Sequence, residues 1–224
     1  MKADMDAYLK PTALINSNHP DLQACAQQFA HYDTPTERAI AIYYWVRDEI
    51  RYNPYVFGPD ETHMRADLTI KTGESWCVPK AILMAALCRA SYIPTGVGFA
   101  DVRNHLSTER LRARMKTDVF YYHGYCTVFL NDQWVKATPA FNAGLCHKFG
   151  LKTLEFDGAE DSLYHPFDLT GQRHMEYIRD HGHFDDVPVR ALYDCFAREY
   201  GTMLDTVTPD HQAWDDDVAR EIKN

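Results

Sequence analysis

The order of patterned segments along this 224-residue chain predicts an α+β fold. Three observations carry that expectation. A well-capped helix opens at Pro35, a second helix, apolar on nearly every face, runs on from Cys77, and an aromatic and β-branched hairpin lies between Phe120 and Thr138. Helices come first, antiparallel strands follow, and helical pattern returns toward the end.

The first helix is announced by Asp33-Thr34-Pro35-Thr36-Glu37-Arg38. Thr34 stands at the cap, Pro35 at the first helical position, and Glu37 three residues after the cap. Ile40, Ile42, Tyr43, Val46 and Ile50 then recur at helical spacing, until Pro54 forbids continuation. A polar loop is expected from Gly58 to about Glu74. Behind it, Cys77-Val78-Pro79-Lys80-Ala81-Ile82-Leu83-Met84-Ala85-Ala86-Leu87-Cys88 has strong helix propensity, and Pro79 suits its first turn. Such a helix belongs in the centre of the molecule.

Ile93 to Ala100 reads as a turn into a strand, and Phe120 to Leu130 as a second strand. Asn131-Asp132-Gln133 makes a tight turn, and Trp134 to Thr138 returns as the hairpin partner. A further short strand is expected at Lys152 to Phe156, and a mostly helical tail from His174 onward, including Val189 to Tyr200. No linker or repeat divides the chain. The expectation is a single domain over 1–224, with a core of about 36–142 and a helical extension of about 143–224.

A formal net charge of −9 argues against general nucleic-acid binding, and the basic stretch Arg103 to Lys116 reads as a solvated helix face. No segment approaches the roughly 20 apolar residues of a membrane span, and Met1 to Asp6 lacks the apolar core of a signal peptide. The expected location is the cytoplasm. The six cysteines (Cys25, Cys77, Cys88, Cys126, Cys146, Cys195) contain no CxxC pair, so zinc-ribbon and disulfide readings lose support.

Cys77 is the exception among them. At a helix amino terminus, free N–H groups and the helix dipole stabilise a thiolate, whereas Cys88 lies inside the same helix as inert core. A strand holds His123 rigidly, as a general base requires. Taken singly, each residue type is more often structural. Together they suit thiolate–imidazole acyl transfer.

The local contexts strengthen the pairing. Trp76-Cys77-Val78-Pro79-Lys80-Ala81, then Leu87-Cys88-Arg89-Ala90-Ser91-Tyr92-Ile93-Pro94, then His123-Gly124-Tyr125, then Trp134-Val135-Lys136-Ala137-Thr138-Pro139 appear in order. Over roughly Thr36 to Asn142 the sequence resembles the transglutaminase-like cysteine enzymes. The resemblance implies a papain-like arrangement, with the nucleophile at the start of a central helix packed on an antiparallel sheet. It implies Cys77 as nucleophile, His123 as base, an amide- or peptide-containing substrate, a thioester intermediate, and no cofactor.

One departure matters. The family's third member, an Asp that orients the imidazole, falls on Thr138. Thr138 orients the ring weakly, or a later carboxylate (Asp157 or Asp168) reaches in, or the site has lost turnover and the fold serves as a binding module. The intact contexts of Cys77 and His123 favour a working dyad. For the oxyanion, the candidates are the nucleophile's own N–H and the Trp76 indole or a polar group near Tyr52-Asn53. The segment Asp161 to Asp168 is expected to fold over the mouth of the site, with Tyr121 and Tyr122 along the cleft. The late histidines His165, His174, His181 and His183 show no metal-ligand spacing and read as solvated or capping residues. Asp157 to Asp161 reads as an acidic turn.

Overall fold

A computed structural model describes residues 5–58, 60–105, 107–164, 166–201 and 210–221. Helix α1 spans Pro20–Gln27 and α2 spans Pro35–Glu49. The cap of α2 is the expected capping box: Thr34 Oγ1 accepts from Glu37 N at 3.1 Å, and Glu37 Oε2 accepts from Thr34 N at 3.0 Å. The two-residue strand β1 (Arg51–Tyr52) pairs in parallel with β2 (Glu74–Ser75). Between them the chain is not the polar loop expected there. Helix α3, Ala66–Thr72, buries Ala66, Asp67 and Thr69 and ends on Gly73 at a φ of 71°. Asp67 is satisfied in the interior by Asn16 at 2.7 Å and Arg65 at 2.9 Å, so a polar residue does core duty and hides the helix from hydropathy.

Helix α4, Cys77–Ala90, is the centre. Every residue from Cys77 to Arg89 is buried. It packs on α1, α2 and α3 and on two strands, β3 (Thr95–Asn104) and β4 (Val119–Leu130). Those strands belong to an antiparallel sheet ordered β5-β4-β3-β6, with β5 at Gln133–Ala137 and β6 at Met175–Phe184. Asn131 and Asp132 join β4 to β5 with φ of 48° and 65°, the left-handed pair a two-residue hairpin needs. Two long basic side chains pin α4. Arg89 donates to the carbonyls of Thr95, Lys10 and Asp185 at one end. At the other, buried Lys80 donates to the Arg47 carbonyl at 2.9 Å and to that of Ile50, closing the carboxyl end of α2.

Three further expectations are corrected. Lys152 to Phe156 is irregular chain: the Leu154 carbonyl accepts from Arg47 Nη1 at 2.7 Å and Tyr43 Oη at 3.1 Å, so side chains of α2 take the place of a strand partner. The stretch after His174 begins as a strand, β6, and turns helical only at α7 (Val189–Tyr200) and α8 (Ala213–Glu221). The stretch from Arg103 to Lys116 starts in β3 and carries a short helix, α5 (Glu109–Met115), of which Leu111 and Met115 are buried. The last helix of the sheet region is α6, Ala143–Lys148. Among the described residues no helix is long and apolar enough to cross a membrane.

The sheet meets α4 closely at Gly124. A Cβ there would stand 2.9 Å from Val78 Cα and 3.3 Å from Val78 N, so backbone occupies the space a side chain would need. Gly124→Ala is therefore expected to destabilise the protein by about 1–3 kcal/mol, the usual cost of forced overpacking. Urea titration checks this; an unchanged midpoint would mean that the helix shifts freely.

Candidate active site

Cys77 is the first residue of α4, with Trp76 at the cap. The backbone N–H groups of Gly124, Val78 and Cys77 itself act on the thiol and favour its thiolate form. These are the donors a helix start leaves free, plus one from the strand. The thiol is only 4% exposed, and burial outweighs the three donors, pushing its pKa up to about 11.

The Gly124 contact brings the next residue, His123, beside the sulfur's anchor point. Just before it β4 bulges: Tyr121 and Tyr122 stand opposite the single Asp101, with Tyr122 at a φ of 54°. The imidazole is 3% exposed and its pKa is lowered to about 4, first by burial and then by His174. It is not among the sulfur's hydrogen-bond partners. Thiol and imidazole are thus both neutral near pH 7.

Cys77 opens onto a cavity of about 50 Å³. Its wall is aromatic and aliphatic, including Tyr52, Trp76, Leu111, Tyr121, Phe196 and Tyr200. The last two come from α7, which roofs the cavity. Tyr200 is latched there, its oxygen accepting from Tyr121 N at 2.7 Å. The Trp76 indole packs on Phe57 and Phe196, with ring centroids 5.0 and 6.1 Å away. Asn53 is fully engaged, its Nδ2 on Glu74 at 3.0 Å and its Oδ1 capping Tyr55 N at 2.9 Å. Tyr52 lines the cavity, and its phenol lies within the electrostatic reach of the sulfur.

The candidate orienters are placed differently. The Thr138 hydroxyl is buried without a hydrogen-bond partner, while its carbonyl accepts from Tyr43 Oη at 3.3 Å. Asp157 folds into its own turn, accepting from Ala159 N and Glu160 N at 2.8 and 2.9 Å, away from His123. Asp168 likewise closes a turn through Thr170 and Gln172, and its charge acts on His174. Against the His123 ring stands Tyr164, edge to face at 5.6 Å. Tyr164 lies in the segment expected over the site mouth, although that segment borders the imidazole rather than the cavity at Cys77. Tyr122 turns away to stack on His181, which pairs with Asp101 at 2.8 Å. His165 lies outside the described residues. His183 packs between Tyr8 and Trp134, and His174 is buried rather than solvated. Among the described residues, no cluster of three or more His, Cys, Asp or Glu is arranged to hold a metal ion.

A model of the transglutaminase-like superfamily matches residues 23–139, more than half of the chain. The chain belongs to the transglutaminase-like superfamily. Among solved structures, a candidate cysteine protease from Cytophaga hutchinsonii is similar in fold, with a TM-score of 0.55 and 18% identity. The match covers 86% of this chain and 50% of that one, so this superfamily member spans about half the length of its neighbour. A comparison with curated proteins returns no match. The α+β, papain-like arrangement, with Cys77 starting a central helix on an antiparallel sheet, is the one found. Sequence reasoning did not single out Phe196, Tyr200 or Gly124. The first two reach the cavity only through tertiary packing of α7, and only the small size of Gly124 at a strand centre marks it.

The two buried histidines make stability depend on pH. A histidine whose folded pKa lies below its unfolded value of 6.5 is protonated preferentially when unfolded. Its contribution is complete above about 6.5 and is lost as pH falls toward about 4. Each is worth at most ~3 kcal/mol by linkage. The denaturation midpoint of the wild type is expected to fall across this window, and that of His174→Gln to fall less steeply. Parallel slopes in the two proteins would show that His174 titrates normally.

Proposed function

We propose that this protein is a cysteine acyltransferase or hydrolase that forms a thioester at Cys77 with a compact, apolar acyl donor. One observation carries the reading: a sulfur at the start of a buried helix, where backbone N–H groups favour its thiolate, facing a small apolar cavity. The sulfur attacks the carbonyl carbon of an amide or ester. His123, neutral near pH 7, takes the thiol proton as the bond forms and returns it to the leaving amine or alcohol. The N–H groups that now surround the sulfur are the donors nearest to the developing oxyanion. Water or an amine then resolves the thioester. Because thiol and imidazole are neutral, proton transfer accompanies attack instead of preceding it.

The cavity constrains the acyl group. A cavity of about 50 Å³ is about a third of the roughly 150 Å³ that holds the six carbons of benzene, so it suits about two carbons beyond the carbonyl. Among p-nitrophenyl esters of increasing length, kcat/KM is expected to peak near the propionyl ester. Phe196→Ala should move that peak to longer chains, since each further methylene accommodated in an apolar pocket is worth roughly 1–3 kcal/mol. A length profile unchanged by the substitution would disprove the assignment of this cavity to the acyl group.

A second reading, a binding module with no turnover, is favoured by Thr138 in the Asp position and by the closed roof over Cys77. Intact-mass spectrometry separates the two. The enzyme reading predicts one acyl adduct per chain from p-nitrophenyl butyrate, absent in Cys77→Ala. Acylation that persists in Cys77→Ala, or none in the wild type, would leave only the binding reading.

A further inference from the structure

Among the described residues, some buried polar atoms lack hydrogen-bond partners. Several lie in one region next to the candidate site: His123 Nε2, the Tyr164 hydroxyl, both ring nitrogens of His174 and Ser107 Oγ. The rings form a series. Tyr164 meets His123 at 5.6 Å and an interplanar angle of 80°, and meets His174 at 5.8 Å and 84°. His174 and Ser107 in turn line a cavity of about 20 Å³ that shares Tyr52, Leu111 and Phe120 with the cavity at Cys77. That is room for about one water molecule. Leaving so many buried polar groups unpaired is costly, at about 1–3 kcal/mol each.

A histidine that acts as base toward a thiol needs its other ring nitrogen to carry the proton and to donate it to something fixed. No carboxylate is among the groups acting on His123 within the described residues. The Ala137–Ser162 bridge, however, lays the chain that carries Tyr164 alongside Thr138, where the superfamily's aspartate would stand.

We propose that Tyr164, backed by His174, is the positioning residue for His123 and replaces the missing carboxylate. This rests on the reading of Cys77 and His123 as a dyad. In the proposed relay, His123 Nε2–H donates to the Tyr164 oxygen, and the Tyr164 hydroxyl donates to a ring nitrogen of His174. The second His174 nitrogen faces Ser107 and the small cavity. An imidazole–phenol hydrogen bond of about 2.8 Å puts ring centroids roughly 6–7 Å apart, so the observed 5.6 and 5.8 Å lie just below that range and the relay forms by reorientation of the rings. Of the titratable groups around the relay, Cys146, Tyr52, Tyr177 and Tyr43 act on Tyr164, and Asp168 and His105 act on His174. A phenol holds the tautomer without adding negative charge, in keeping with the neutral imidazole.

The test follows acylation of Cys77 by p-nitrophenyl butyrate across roughly pH 3 to 9, a range that brackets the lowered His123 pKa of about 4. It uses the full chain as wild type, His123→Ala, Tyr164→Phe, Thr138→Asp and the Tyr164→Phe/Thr138→Asp pair. Thermal midpoints confirm that each is folded. Tyr164→Phe is expected to slow acylation by about tenfold or more and to flatten the His123-dependent inflection. Adding Thr138→Asp should restore both the rate and the inflection. A Tyr164→Phe profile matching wild type, with His123→Ala impaired, would overturn the proposal and leave the dyad intact. So would a slow Tyr164→Phe that Thr138→Asp fails to rescue, since that marks a packing role. Acylation unaffected by His123→Ala would instead remove the dyad on which the proposal stands.

Discussion

The contact between Gly124 and Val78 is the constraint from which the rest of the site follows. Backbone meets backbone there, with no side chain between strand β4 and the first turn of α4. That closeness lets a strand N–H reach the sulfur of Cys77 and brings His123, the next residue, to the same end of the helix. It can persist only if α4 cannot slide, and its surroundings hold it. The helix is buried on all sides, and Arg89 and Lys80 tie its two ends to carbonyls of other segments. Asn142 supports the second tie, donating to the Ile50 carbonyl at 2.9 Å while accepting from Tyr52 N at 2.6 Å. The segment after β5 is thereby clasped to the start of β1, where Tyr52 enters the cavity wall.

Much of this was legible in the chain because the signals were local. Thr34 and Glu37 form their capping box within one turn, Pro79 sits in a first turn, and Asn131-Asp132 suits a two-residue hairpin whatever surrounds it. The segments that were misread depend on distant partners. β6 carries Glu176, Arg179, Asp180 and His181 and shows neither alternation nor β-branched enrichment, so only its pairing to β3 makes it a strand. Asp67 looks like a loop residue until Asn16 and Arg65 are brought to it. Lys152 to Phe156 has strand-like composition, but its carbonyls are claimed by Tyr43 and Arg47.

The candidate site divides the same way. Cys77 and His123 stand in contexts that a sequence reader can match, and their placement depends on one helix start and one strand. The groups around them do not. Tyr164 comes from irregular chain laid beside β5 by the Ala137–Ser162 bridge, and Phe196 and Tyr200 come from a helix more than a hundred residues beyond Cys77. No local pattern marks a tyrosine that will face an imidazole. Burial also reverses the electrostatics that composition suggests. A helix start favours thiolate, but enclosure of the sulfur under α7 favours the neutral thiol, and enclosure wins.

One feature of the sheet bears on how molecules of this protein meet each other. β6 ends the sheet beyond β3, and an uncovered edge strand is ordinarily a template on which a second chain adds its own strand. Its pairing with β3 slips register twice, between Phe99 and Ala100 and between Asp101 and Val102. Lys136 holds Asp180 at 2.6 Å, and Arg103 approaches Glu176 at 3.8 Å, so charge is fastened along the strand. An incoming strand would find a bent, charged row of donors and acceptors instead of a straight one. The fold thereby ends its own sheet, and crowding many copies together gives no ready path to intermolecular β-structure along that edge.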